Sequence, residues 1–253
     1  MMEYLGIIPA RYESTRLPGK PLALIGGISM IRRVYEQVSQ VFEHLLVATD
    51  DKRIVAEIES FGGNAVMTSA KHISGTSRCE EALTLFEKKS GLHFDVVVNI
   101  QGDEPFIRTE QLVKLKSSFI NSRTQIATLI KAIDTEDELF NVSKPKVIRA
   151  IDGRALYFSR QAIPFLRGEN EQDWLGNHLY FKHIGVYAYR SEILREIVKL
   201  KPSSLEKAEA LEQNCWLENN YQIQTEITDI ESLSVDTPED LQKAELFARS
   251  QKK

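Results

Sequence analysis

The sequence predicts an α/β fold, with a mostly parallel Rossmann-like sheet in its first half and an antiparallel addition in its second. Three observations predict it. Through Ile133, short apolar runs alternate with segments of helical apolar spacing, the pattern of βαβ units. The run Phe94 to Ile100 (FDVVVNI) is nearly all β-branched, as a strand in the middle of a sheet tends to be. After Pro145 the pattern changes: Val147 to Ile151 and Ala155 to Phe158 flank Asp152-Gly153, a hairpin signal, and His183 to Tyr189 alternates as a third such strand. No Gly/Ser-rich or Pro-rich linker marks a boundary, so a single domain over residues 1–253 is expected.

Taken in order, Tyr4 to Ile8 is the first strand, followed by a basic loop. A helix follows with Met30, Ile31, Val34, Tyr35, Val38 and Val41 on one face. His44 to Thr49 is a buried strand. Asp50 or Asp51 caps the next helix, whose apolar stripe is Ile54, Val55, Ile58 and Phe61 and which Gly62-Gly63 stops. Ala65 to Met67 is a third strand, leading into a polar loop (SAKHISGTSR) before helical spacing resumes from Cys79 to Lys89. Beyond FDVVVNI and the turn QGDEPF, Thr109 caps a helix bearing Leu112, Val113, Leu115 and Phe119, and Ile126 to Ile133 returns as a strand. Ser203 to Glu206 supplies a capping box for one late helix, carrying Leu205, Ala208, Leu211 and Glu212. Thr237-Pro238 puts a cap and an N1 proline before the last helix, and Ser250 to Lys253 should fray.

The 253 residues carry a formal charge of -4 and 42% hydrophobic residues, enough for a sizeable core. That balance offers no global attraction to nucleic acid or anionic membrane, so any basic site is local. Neither a leader nor an apolar run of membrane-spanning length is evident, and a cytoplasmic protein is expected. Cys79 and Cys215 stand far apart without ligand spacing, against both a disulfide framework and structural zinc.

Ligands of open α/β sheets lie at the carboxyl ends of the parallel strands. The loops starting at Pro9, Thr68 and Gln101 should therefore gather on one edge, with Arg11, Lys20, Arg78, Gln101 and Asp103. The first of them, IIPARYESTRLPGKP, puts Arg11, Arg16 and Lys20 within ten residues, with Gly19 to let the backbone turn. A triphosphate is the obvious ligand, and an ordinary solvated loop is the alternative. Neither G-x-G-x-x-G nor G-x-x-x-x-G-K-[ST] is present, so this is a different phosphate grip. Asp103, following Gly102, is either a ligand for a hard cation or a turn-forming aspartate. Asp236, just before the Thr237 cap, is either a second metal ligand or a carboxylate stabilised by the helix dipole. Magnesium needs few protein carboxylates when phosphates supply the rest, so these two would suffice. His183 and Tyr187 share one strand face, although a lone histidine is more often structural. Glu209, Glu212 and Gln213 are read on one helix, where a solvated face is the common outcome.

Together these stretches resemble one family, the 3-deoxy-manno-octulosonate (Kdo) cytidylyltransferases. IPARYESTRLPGKPL, VATDD, SGTSR, VVNIQGDEPFI, ALYFSRQAIPF, KHIGVYAYR, LEKAEALEQ and SVDTPEDL follow in that family's order and spacing from end to end. The resemblance implies a single-domain fold of the nucleotide-diphospho-sugar transferase type, a homodimer, and a magnesium-dependent reaction. That reaction couples CTP to Kdo and releases pyrophosphate, for lipopolysaccharide biosynthesis. It also implies that Arg11, Lys20 and Asp103 are catalytic and that Ala10, Thr76, Arg78 and Gln101 join Arg11 and Lys20 around the nucleotide. His183, Tyr187, Glu212 and Gln213 would hold the sugar, and Asp103 and Asp236 the magnesium. The chain departs from the common pattern at Ser77, Lys182, Ser204, Asn214 and Cys215. These departures leave a related acidic sugar open, such as an 8-amino octulosonate or a sialic-acid-type sugar. A nucleotide-sugar-binding protein without catalysis is the reading from another class.

Overall fold

Four parallel strands make the frame of the first of two compact units in the computed structural model, which describes residues 2–14, 16–231 and 233–250. The first unit comprises residues 1–113 with 232–253, the second 114–231. In the first, β1 (Tyr4–Ala10) runs two residues further than the apolar pattern indicates and so delivers Pro9 and Ala10 to the strand end. Next comes a small hairpin, β2 (Leu24–Ile25) and β3 (Ile28–Ser29), that the sequence reading lacks. Gly26 and Gly27 turn it with φ of +60° and +84°, the mirror-image turn that two-residue hairpins favour. Ser29 caps α1 (Met30–Val38), whose buried face is Met30, Ile31, Val34 and Val38; Val41 lies outside the helix.

β4 (His44–Thr49), α2 (Lys52–Ser60) and β5 (Ala65–Met67) follow, and of the two candidate caps it is Asp51 that accepts from the backbone of Arg53. The polar segment after β5 is only partly a loop. Ser74 caps α3 (Gly75–Ser90), so Gly75 to Arg78 form its first turn. The helical pattern is hidden there because the inward residues are Thr76 and Arg78 rather than apolar ones. β6 (Val96–Asn99) pairs with β1, β1 with β4 and β4 with β5, all parallel. Val96, Val97 and Val98 are fully buried, as a mid-sheet strand requires. α4 (Thr109–Ser117) carries the chain into the second unit.

There β7 (Ile126–Ala132) and the capped helix α5 (Glu136–Phe140) precede a hairpin of β8 (Lys146–Arg149) and β9 (Ala155–Ser159). Its loop turns at Gly153, with φ +89°. α6 (Trp174–Asn177) leads to β10 (Phe181–Arg190), which is antiparallel to both β7 and β8. After α7 (Ser191–Ile197), the Ser203 capping box starts α8 (Ser204–Glu209). The single late helix of the sequence reading is in fact two, because Ala210 takes a left-handed conformation (φ +50°) and an extended Leu211 begins α9 (Glu212–Glu218). β11 (Ile223–Ile227) closes the unit beside β7 in parallel. The mixture of parallel and antiparallel strands is the fold class expected.

The chain then rejoins the first unit through α10 (Pro238–Ser250). Ile25, Met30, Val235, Ala244 and Ala248 form one apolar cluster, so the hairpin, α1 and the returning segment are packed together. Of the end expected to fray, Ser250 is helical and residues 251–253 lie outside the described residues. Cys79 and Cys215 are free and buried. Among the described residues no helix is long and apolar enough to cross a membrane.

Candidate active site

A cavity of about 390 Å³ opens in the first unit where the expected three loops meet. The end of β1 supplies Pro9, Ala10 and Arg11, and the basic loop adds Ser14, Arg16 and Lys20. His72 to Ser74 come from the loop before α3, Gly75 and Arg78 from its first turn, Gln101 to Asp103 from the turn after β6, and Asp236 from the returning segment. Two glycines let these pieces approach. Gly19, at φ +69°, bends the loop back so that its N–H donates to the carbonyl of Tyr12. At Gly102 a Cβ would stand 3.1 Å from the carbonyl oxygen of Pro9, so a side chain would push the β1 and β6 ends apart. The Arg53 guanidinium stacks 3.3 Å from the ring centre of Tyr12, bracing the loop from outside.

Charge converges on the cavity wall. Lys20 Nζ donates to Asp103 Oδ2 at 2.6 Å and to Asp236 Oδ1 at 3.0 Å, and Arg16 reaches the same Asp236 oxygen at 3.3 Å. Burial alone would lower the Lys20 pKa, but attraction and hydrogen bonds from Asp103 and Asp236 outweigh it and raise the pKa above the usual lysine value. The ammonium is therefore charged wherever the protein is folded near neutral pH. The two aspartates, far apart in the chain, are brought together by the backbone: Val235 N–H donates to Asp103 O at 2.9 Å. Thr237 and Asp240 then cap α10 reciprocally, the Thr237 hydroxyl accepting from Asp240 N–H while the Asp240 carboxylate accepts from Thr237 N–H. The cap fixes the residue after Asp236.

Arg78 is only 4% exposed, its guanidinium donating to Thr68 Oγ1 at 2.7 Å and Asp50 Oδ2 at 2.8 Å. Asp50, a candidate helix cap in the sequence, is thus the counter-ion of a cavity-wall arginine. Gln101 Nε2 donates to Asn99 Oδ1 at 3.1 Å. Thr76 is buried in the first turn of α3 and does not line the cavity. His72, Ser14 and Ser74 line it without having been singled out. His72 is pinned to α3, with Nδ1 3.0 Å from Ser77 Oγ and Nε2 hydrogen-bonded to Glu81. Ser77 therefore anchors a histidine rather than lining the cavity. The signal for His72 was only its place in the polar segment.

The four sugar-side candidates belong to the second unit. His183 Nε2 lies 2.9 Å from Thr128 Oγ1, whose single hydroxyl hydrogen is taken by Val186 O at 2.7 Å. Thr128 therefore accepts from Nε2–H, and Nδ1 is the unprotonated nitrogen. Desolvation pushes the His183 pKa down to about 3, so the ring is neutral at physiological pH. It sits 5.1 Å from the ring of Tyr187, with which the sequence placed it on one face. Desolvation, reinforced by Tyr189 and Glu212, raises the Tyr187 phenol well above its usual value. Its buried hydroxyl has no hydrogen-bond partner among the described residues. Glu212 opens α9 and Gln213 beside it is 5% exposed. Glu209, by contrast, is consumed structurally, accepting from Ser159 Oγ at 2.6 Å and from the backbone of Arg160 at 2.9 Å. Lys182 is likewise committed, to Glu138 and Glu231, and Asn214 grips both backbone groups of Phe158. Lys182 and Asn214 are thus internal supports.

A family model described as cytidylyltransferase matches residues 5–246. The chain is 55% identical over 253 residues to the 3-deoxy-manno-octulosonate cytidylyltransferase of Bacteroides thetaiotaomicron, covering 98% of this chain and 99% of that one. With the enzyme of the same description from Parabacteroides distasonis it shares 52% over 251 residues, 98% of each. Among solved structures, a CMP:2-keto-3-deoxy-manno-octonic acid synthetase complexed with CTP superposes with a TM-score of 0.90 at 37% identity, over 98% of this chain and 99% of that one. The chain belongs to the 3-deoxy-manno-octulosonate cytidylyltransferase family.

Proposed function

We propose that this protein transfers CMP from CTP to 3-deoxy-D-manno-octulosonate, giving CMP-Kdo and pyrophosphate for lipopolysaccharide biosynthesis. The observation that carries this reading is the convergence of Lys20, Asp103 and Asp236, from three distant stretches, on the wall of a cavity lined by strand-end loops. The family model spans both compact units, which supports their acting as one catalytic domain.

In this reading Ala10, Arg78 and Gln101 hold the nucleoside end of CTP, Thr76, expected beside them, supports the first turn of α3 from behind the cavity wall, and Arg11 and Lys20 neutralise the departing pyrophosphate. His183, Tyr187, Glu212 and Gln213 receive the acidic sugar. The neutral imidazole and un-ionised phenol suit hydroxyl groups and repel no carboxylate. The anomeric hydroxyl attacks the α-phosphorus in line, and no covalent enzyme intermediate is needed. Asp103 and Asp236 fit a magnesium ion, because both already direct a carboxylate oxygen at one cation, the Lys20 ammonium. An ion held by these two carboxylates would take its remaining oxygens from the phosphates and from water. When bound, magnesium would neutralise the reacting phosphate and ease deprotonation of the attacking hydroxyl. A homodimer is part of the proposal, since a second copy would cover apolar side chains such as Phe165 and Leu179, which are 72% and 61% exposed. CTP belongs to the cytoplasm, and the reaction is placed there.

The test is pyrophosphate release and CMP-sugar formation with CTP, magnesium and a panel of acidic 2-keto sugars. Kdo should be turned over fastest. CTP binding without pyrophosphate release for any sugar would overturn the enzymatic reading.

A further inference from the structure

The carboxylates offered to the metal are already neutralised. Asp103 is held by Lys20 at 2.6 Å, and Asp236 by Lys20 at 3.0 Å and by Arg16 at 3.3 Å, so two anions and two cations form a quartet of zero net charge. The ammonium occupies the position where the two carboxylates point together, and its side chain is only 15% exposed. A divalent ion approaching this quartet meets two cations in place and too few protein oxygens to replace its water. A triphosphate meets the opposite situation: Lys20 and Arg16 lie on the cavity wall beside Arg11, and both can turn from a carboxylate to a phosphate oxygen.

We infer that Lys20 and Arg16 act as a latch on the metal site, keeping Asp103 and Asp236 unavailable to a divalent cation until the nucleotide draws these side chains away. The latch makes assembly conditional. An ion cannot sit productively in the site alone, and the cations released from the carboxylates are the ones the triphosphate requires. Binding of the two is therefore positively coupled through the protein, beyond the affinity of metal for phosphate itself. The inference rests on the assignment of Asp103 and Asp236 to the metal, but it concerns the nucleotide-free protein, where it can be tested separately.

The experiment measures Mn²⁺ binding to nucleotide-free protein by electron paramagnetic resonance of the free ion, for wild type, Lys20→Met, Arg16→Gln and the Lys20→Met/Asp103→Asn double variant. Circular dichroism verifies that each is folded. Wild type should bind weakly and Lys20→Met about ten-fold or more tighter, since one unit of opposing charge is removed at contact distance. Arg16→Gln, altering an exposed side chain with little demand on folding, should tighten binding a few-fold. The double variant should lose the gain. Unchanged or weaker Mn²⁺ binding in both single variants overturns the latch, as does tight nucleotide-free binding by wild type. A parallel titration with CTP present keeps the two readings apart: metal binding that depends on Asp103 there, without any gain in the single variants, retains the metal site and removes only the latch.

Discussion

The two units handle charge in opposite ways. At the cavity of the first, Lys20 and Arg16 meet Asp103 and Asp236 at ion-pair distance near the surface. On β10 of the second, desolvation keeps the His183 imidazole neutral and raises the already un-ionised Tyr187 phenol further, and the Lys182 side chain is buried against Glu138 and Glu231. The difference follows the chemistry each surface is proposed to serve. A triphosphate and a metal need opposing charges that can be exchanged, whereas a polyhydroxylated sugar needs oriented neutral donors and acceptors. The Lys182–Glu138 pair of the second unit instead holds β10 and α5 together.

The largest expected effect breaks the first half of this contrast. Asp103→Asn keeps an acceptor for Lys20 but removes the negative charge, so the thermal midpoint should move little while turnover in a pyrophosphate-release assay falls about a thousand-fold or more. Near wild-type turnover would remove Asp103 from the reacting centre. In the second unit, the effect of His183 is visible in stability. Its folded pKa of about 3 lies below the unfolded value, so between these limits the unfolded chain binds the extra proton and stability falls as the solution is acidified. Urea unfolding of wild type should lose about 2 kcal/mol relative to His183→Gln between pH 7 and pH 5. A pH-independent difference between the two would show that the imidazole is not desolvated.

Glu138 sharpens the same contrast with the opposite sign of charge. Its burial would raise its pKa, but the ammonium groups of Lys144 and Lys182 overrule burial and hold it down to about 2. Its stabilisation is complete above the unfolded value and is lost as pH falls toward 2. At pH 7 Glu138→Gln should cost about 1–3 kcal/mol, because Lys182 is left with Glu231 alone. Turnover measured well below the melting temperature should change far less than in Asp103→Asn.

How much of this was legible in the sequence depends on the distance over which each feature is set. Strands β4 and β5 lie within the bounds their apolar runs indicate, and the Ser203 box and the Thr237 cap are local patterns that the chain forms as read. The β2–β3 hairpin escaped because its strands are two residues each, too short for any periodicity, although Gly26-Gly27 was a turn signal in view. The first turn of α3 escaped because a buried arginine, Arg78, occupies an inward position that apolar spacing cannot reveal. Candidate site residues could be named from motifs, but the pairing of Lys20 with both Asp103 and Asp236 could not. It depends on a single backbone hydrogen bond from Val235 to Asp103 and on the apolar cluster that returns the chain's last segment to the hairpin.

The smallest expected effect isolates position from stability. Thr237 caps α10 beside Asp236, and Thr135 caps α5 by accepting from Glu138 N–H at 3.4 Å. Replacing either threonine by alanine removes one side-chain acceptor from a helix N-terminus, which costs about 1 kcal/mol. If charge geometry at the cavity governs catalysis, the two variants should melt alike and differ in rate. Thr237→Ala frees the backbone next to Asp236 and should lower turnover several-fold, while Thr135→Ala should leave turnover at the wild-type level. Equal rates in the two variants would mean that Asp236 is held well enough by the Val235 to Asp103 hydrogen bond alone, and that the cap contributes only to folding.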